Sequence, residues 1–240
     1  MKPRILALGD GALTLEFGDR IDPSLNARVM AARDALAALK LGGISDVVPS
    51  YRSLTVHFDP LRLEPEVLTG HLLQAALEPA QESALVTRWQ IPVVFGDEFG
   101  PDLADVARVT GRGESAVIEA LCASELSVFL IGFLPGFPYL GELPDWLRLP
   151  RRATPRTAVP ANSLAIAGAQ AAVYPWQSPG GWHLLGRTPV RLFDLKDAAR
   201  PALLAPGDTV SFTPVGRDEF SRLEADIAAG RNGRRDWLAT

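Results

Sequence analysis

The chain has 240 residues, 47% of them hydrophobic and 22% charged, with a formal net charge of −4 and a single cysteine, Cys122. That balance describes an ordinary soluble protein with room for two domains. It excludes an internal disulfide and argues against a broad nucleic-acid surface, which would carry a basic balance. The opening MKPRILALGDGALTLEF does not read as a signal peptide, because its short apolar stretch ends at Gly9–Gly11. No run reaches the roughly 18 apolar residues of a membrane span. His57, His71 and His183 lie far apart, with no HExxH or CxxC pattern, so no metal site is expected. The single thiol fits a cytoplasmic protein.

In chain order, residues 4–8 and 12–17 read as two short strands around a Gly9–Gly11 turn. Leu13, Leu15 and Phe17 alternate with Thr14 and Glu16. A helix is expected over 23–40, with Pro23 inside its start, Asp22 as cap, and Leu25, Val29, Ala32, Leu36 and Leu39 at helical spacing. Two more strands, 44–48 and 53–58, and a helix over 65–78 complete a small α/β unit. His57 reads as an edge-of-strand histidine and His71 as a surface-helix one. The short polar stretch 79–87 marks a boundary, giving an N-terminal domain of residues 1–84.

The second domain, 85–216, opens with the strand WQIPVVF. Two short helices follow around Gly111–Gly113. A strand then feeds GFLPGFPYLG at 132–141. From 151 onward, SLAIAG, AAVYP, GWHLLG, PVRLFD and DTVSFTPV are short β-like pieces split by Pro and Gly, the grammar of a closed or nearly closed barrel. SPGG at 178–181 reads as a turn. Residues 217–240 read as a terminal helix and a frayed end.

Conventional chemistry signatures are missing. There is no Walker-type GxxxxGK[ST], no GxSxG elbow, and nothing in the spacing joins His183 to Ser163, Ser178 or Asp194 as a triad. Cys122, on an expected helix, reads as a buried apolar thiol. The basic stretch LPRRATPRTAVPANS carries Arg151, Arg152 and Arg156, and Arg187 and Arg191 follow. Guanidinium groups suit bidentate contact with carboxylate or phosphate, and Pro150, Pro155 and Pro160 stiffen the chain that carries them. A solvated loop paired with surface acids remains the alternative. Tyr174, Trp176 and Trp182 surround a Gly-Pro turn and suit a ligand wall or barrel packing equally.

IGFLPGFPYLGELP at 131–144, PRRATPRTAVPANSLAIAGAQ at 150–170 and YPWQSPGGWHLLGRTPVRLFD at 174–194 closely resemble the KipI-like family. This family is also called allophanate hydrolase subunit 1 or the B subunit of bacterial ATP-dependent 5-oxoprolinase. GDGALTLEFGD at 9–19, SLNARV at 24–29, PSYRSLTVHFDP at 49–60 and PALLAPGDTVSFTPV at 201–215 extend the likeness over roughly residues 4–216. The resemblance implies an α+β N-terminal domain followed by a cyclophilin-like β-barrel. It implies partners: a cyclophilin-like C subunit, similar to allophanate hydrolase subunit 2, and a LamB/YcsF-like A subunit. The implied reaction opens 5-oxo-L-proline to L-glutamate with ATP hydrolysis. The ATP, with Mg2+, would be bound by this chain, by a partner or between them. Inhibition of a sensor histidine kinase and a role in urea or allophanate metabolism are the alternatives that the family carries.

Lactam opening needs donors for developing negative charge. On that reading Arg156, Arg187, Gln170 and His183 are the expected catalytic residues. Arg152, Gly132, Pro135, Gly136, Tyr139, Ser178, Gly180 and Gly181 are the expected substrate or nucleotide contacts, the glycines offering backbone N–H groups. The chain departs from the family pattern where it carries Leu121, Cys122 and Leu126, near positions where relatives have a histidine and a tyrosine. It also has Asn162 and Ala169 where glycine is common.

Overall fold

The computed structural model describes residues 2–80, 86–198 and 200–239. Two compact units divide the chain at Leu85 and Val86. Most of the expected boundary stretch, residues 81–85, lies outside the described residues.

The first unit is one sheet backed by two helices. Strands β1 (Arg4–Ala7), β2 (Ala12–Glu16), β3 (Ile44–Pro49) and β4 (Ser53–Phe58) lie in the order β1-β2-β4-β3, every pair antiparallel. Helix α1 (Pro23–Ala38) starts as its sequence requires. The Ser24 N–H donates to the Asp22 carboxylate at 2.8 Å, and Pro23 fills the first turn where no N–H is needed. Helix α2 spans Pro65–Ala75. Leu15, Leu54 and Val56 from one sheet face meet Val29, Leu36, Leu68 and Leu72 from the helices, all at most 1% exposed. Strand β4 lies between two neighbours, so His57 stands on an interior strand rather than at an edge.

The second unit contains β5 (Arg88–Phe95), α3 (Leu103–Thr110), α4 (Glu114–Ala123), β6 (Leu126–Ile131) and β7 (Pro138–Gly141). Then come β8 (Arg156–Val159), β9 (Ser163–Ala167), β10 (Gln170–Tyr174), β11 (Ser178–Gly180), β12 (His183–Arg187), β13 (Thr209–Pro214) and α5 (Arg217–Ala228). Seven of these strands close a barrel in the order β10-β7-β6-β13-β5-β12-β9. An α+β region is thus followed by a closed, cyclophilin-like barrel.

Strands β9 and β10 are buried on both faces. Leu164, Ile166, Ala171 and Val173 join the main core of this unit, with Val93, Val128, Leu140 and Leu185. The alternating residues Ala165, Ala167, Ala172 and Tyr174 belong to a second cluster with Phe137, Val159, Trp182 and Leu184. The three alanines leave room for the rings. Part of the cover over this layer is the two-stranded ribbon β8–β11.

Three expectations are corrected. Ser178–Gly180 is a short strand paired with β8, with Gly180 opposite Arg156, rather than a turn. Residues 189–194 contain no strand and make only an isolated bridge, Phe193 to Ala202. Residues 234–239 are tied down rather than frayed. Arg234 donates to the carbonyls of Leu203 (2.8 Å) and Ala202 (3.0 Å), Trp237 is 8% exposed, and the Ala239 N–H bonds Arg88 O at 2.9 Å. A large apolar ring near a terminus has core to gain by docking.

Candidate anion-binding site

Asp102 organises the site. It precedes α3 after Gly100, whose hydrogen allows a close approach: a Cβ there would fall 2.0 Å from Leu185 O. The Asp102 N–H donates to Leu184 O at 3.0 Å, and the Leu184 N–H donates back to Oδ2 at 2.7 Å, so α3 is clamped to β12. An aspartate at a helix start ordinarily caps the helix; this one makes no side-chain cap. Its carboxylate is spent on arginines. Arg156 donates Nη1 to Oδ2 and Nη2 to Oδ1, both at 2.8 Å, and Arg152 donates Nη1 to Oδ1 at 2.6 Å.

The carboxylate is 3% exposed, against 31% and 24% for the side chains of Arg152 and Arg156. Burial pushes its pKa up. The Arg156 hydrogen bonds, the Leu184 N–H and the charges of Arg156 and Arg152 outweigh that, and the group sits below the usual carboxylate range. Two cations around one anion leave a net positive cluster, open to solvent through Arg152. The buried Arg152 Nε has no hydrogen-bond partner among the described residues.

Several sequence-expected residues gather on this face. The Arg152 N–H donates to Gly181 O at 2.7 Å, Gly180 pairs with Arg156, and Ser178 pairs with Val159 on the same ribbon. His183 Nε2 and Pro150 O are 2.9 Å apart, so His183 pins the arm that carries the arginines. A Cβ on Gly180 would fall 2.4 Å from the Tyr174 hydroxyl. Tyr174 lies edge-on to Phe137 at 5.0 Å, Tyr139 is 5.0 Å from Phe137 and 6.0 Å from Trp182, and the Arg151 guanidinium lies 6.0 Å over Trp182. Burial pushes Tyr174 up to about 12, despite the nearby charge of Arg151. Burial likewise raises Tyr139.

Gly132, Pro135 and Gly136 form the tip of the β6–β7 hairpin. Gly136 has φ +78°, and a Cβ there would meet Phe193 Cβ at 2.8 Å. Pro135 O accepts from Trp176 Nε1 at 3.2 Å. Phe133 also has positive φ, 68°, and is 63% exposed, with its ring edge-on to Phe137 at 5.4 Å.

Other expected residues stand apart. Arg187, at the far end of β12, donates Nε to Ala161 O at 3.0 Å and has no contact with Asp102. Gln170 sits opposite Gly141 and Ala167 at the start of β10, the end away from Tyr174. Cavities of about 250 and 330 Å3 in this unit are lined by none of the expected site residues. Asp102 itself escaped sequence reasoning. Its one local signal, an acid before a helix, points to capping.

Residues 3–204 match the family described as carboxyltransferase domain, subdomain C and D. The chain belongs to it. Within that family it is a homologue of the KipI-like proteins that serve as 5-oxoprolinase B subunits. It is 51% identical to the 5-oxoprolinase B subunit of Haemophilus influenzae over 173 residues, covering 72% of this chain and 80% of that one. Against the 5-oxoprolinase B subunit of Bacillus subtilis the identity is 35% over 228 residues, covering 90% and 95%. The crystal structure of TTHA0988 superposes with a TM-score of 0.76 at 37% identity, over 85% of this chain but only 40% of that longer one.

The departures from the family pattern have structural readings. Leu121 and Leu126 are fully buried in the core of the second unit. Asn162 has φ +63°, a left-handed conformation that favours glycine and, after it, asparagine.

Mg2+ and ATP would need donors for several phosphates and carboxylates for the metal. Here Arg156 is bidentate to Asp102, and both Asp102 oxygens are already taken. Among the described residues no three His, Cys, Asp or Glu side chains gather to hold a metal ion. The Asp102–Arg152–Arg156 cluster therefore offers no free carboxylate oxygen to a metal ion. No helix among the described residues is long and apolar enough to cross a membrane.

Proposed function

We propose that this chain is a subunit of an ATP-dependent 5-oxoprolinase complex that opens 5-oxo-L-proline to L-glutamate. It works with a cyclophilin-like C subunit and a LamB/YcsF-like A subunit. The observation that carries this reading is the net positive Asp102–Arg152–Arg156 cluster, in a chain similar over nearly its whole length to 5-oxoprolinase B subunits. The cluster's net positive charge suits the substrate carboxylate. The nucleotide then belongs on a partner or at a shared surface, and its role is to activate the lactam carbonyl, which is a poor electrophile. Guanidinium groups already held in place stabilise negative charge without having to reorganise. The test is to purify the chain with the two candidate partners and follow ATP-dependent glutamate release from 5-oxoproline. No release from a well-folded three-subunit mixture overturns the proposal.

A second reading, binding to a sensor histidine kinase, is favoured by the exposed rings of Phe133 at the hairpin tip and of Trp176, which bonds to that tip from the β10–β11 connection. Exposed aromatic side chains on a rigid tip suit protein contact. A complex with a histidine kinase that survives gel filtration, from a preparation without lactam turnover, would select it.

A further inference from the structure

We propose that Asp102 is a positioning residue that divides the labour between its two arginines, making Arg156 the anchor and Arg152 the guanidinium that receives a single carboxylate ligand. This deepens the reading of the face as an anion site. The geometry is asymmetric. Arg156 spends both terminal nitrogens on Asp102 at 2.8 Å and stands on β8, in register with Gly180. Arg152 engages Asp102 through Nη1 alone, is the more exposed of the two, and has an Nε with no partner. The Nε is buried, so a ligand meets the exposed outer edge of this guanidinium, where only Nη1 is committed to Asp102. Asp102 in turn is fixed by its two-way bonding with Leu184, so Arg152 is held from three sides: by Asp102, by its own N–H to Gly181 O, and by the His183–Pro150 contact two residues upstream. A guanidinium held in this way loses little freedom when a ligand arrives.

The ligand class follows from charge and donor count. Asp102, Arg152 and Arg156 together carry one net positive charge, the Arg151 guanidinium adds another over Trp182 on the same face, and the planar fork of one guanidinium matches a planar carboxylate.

The experiment uses the full chain, with the arginine side chains labelled for NMR and acetate as the probe carboxylate. The wild type is expected to show saturable shifts of the Arg152 Nε–H signal with little movement of Arg156. Asp102→Asn should weaken acetate binding at least 10-fold while the methyl spectrum shows a retained fold. Arg156→Lys keeps one contact to Asp102 and should weaken binding less than Arg152→Lys; this pair decides the matter if Asp102→Asn fails to fold. No saturable shift in the wild type, equal loss in the two lysine variants, or unchanged binding in a folded Asp102→Asn overturns the proposal. In the reconstituted complex the same asymmetry should appear as a raised KM for 5-oxoproline in Arg152→Lys. Acetate binding without turnover would leave Asp102 in its role and overturn the lactamase reading alone.

Discussion

Asp102 and Arg156 are 54 residues apart in sequence and form a two-pronged ion pair, Nη1 to Oδ2 and Nη2 to Oδ1, each at 2.8 Å. Through it the α3 start, the β12 backbone and the arginine-bearing arm share one buried carboxylate.

The acid limb of stability should report this carboxylate. Its folded pKa lies below the ordinary value of 3.8, so its contribution is present above about pH 4 and is lost as pH falls through the lower folded value. Asp102→Asn strands two arginines and should cost about 2–4 kcal/mol at pH 7, toward the lower end because both arginines are part-exposed. It should also flatten the acid limb. Denaturant melts of both proteins between pH 3 and 7 measure this; parallel pH profiles would refute it.

The alkaline limb should report Tyr174. Its neutral form is favoured in the folded chain, with the pKa raised from 10 to about 12. Stability from this group is intact below pH 10 and falls as pH rises toward 12, because the unfolded phenol ionises first. Absorbance titration at 295 nm of wild type and Tyr174→Phe should differ by one late-ionising phenol. A difference centred near pH 10 would show that the ring is not dry.

Gly180 and Tyr174 should couple. A methyl at 180 meets the phenol oxygen at 2.4 Å and two ring carbons at 2.9 Å. Gly180→Ala should destabilise by about 2–3 kcal/mol through overpacking. Tyr174→Phe should recover part of that loss, since it removes only the nearest atom. A double-mutant cycle with no coupling energy would contradict the packing described.

At the hairpin tip, stability and assembly should separate. Phe133 combines a left-handed backbone with an exposed ring. Phe133→Gly should change stability by less than about 1 kcal/mol either way, because glycine accepts that φ without strain while the edge-on contact with Phe137 is lost. Co-purification with a partner subunit should fall at the same time. A destabilised but assembly-competent variant would show that the ring belongs to the fold.

Much of the fold was legible because it depends on local chemistry. Asp22–Pro23 announces α1, the Leu13–Leu15 alternation announces β2, and Pro- and Gly-divided β pieces announce the barrel. The same short-range logic misjudged SPGG, whose strand character comes only from pairing with β8, and the tail, which Trp237 anchors only once there is a core to receive it.

By itself the sequence determined which residues could carry charge here: Arg152 and Arg156 lie on one proline-stiffened stretch, and guanidinium chemistry follows from residue type. It also determined the family, through long motifs. Only the tertiary structure decided what those arginines face. Asp102 looks like a helix cap from its neighbours, and its capture by arginines 50 and 54 residues away depends on the fold bringing β12 of the barrel, β8 of the ribbon and the α3 start together. Local pattern encodes backbone preference, whereas a buried ion pair exists only where distant segments exclude water from the same few cubic ångströms.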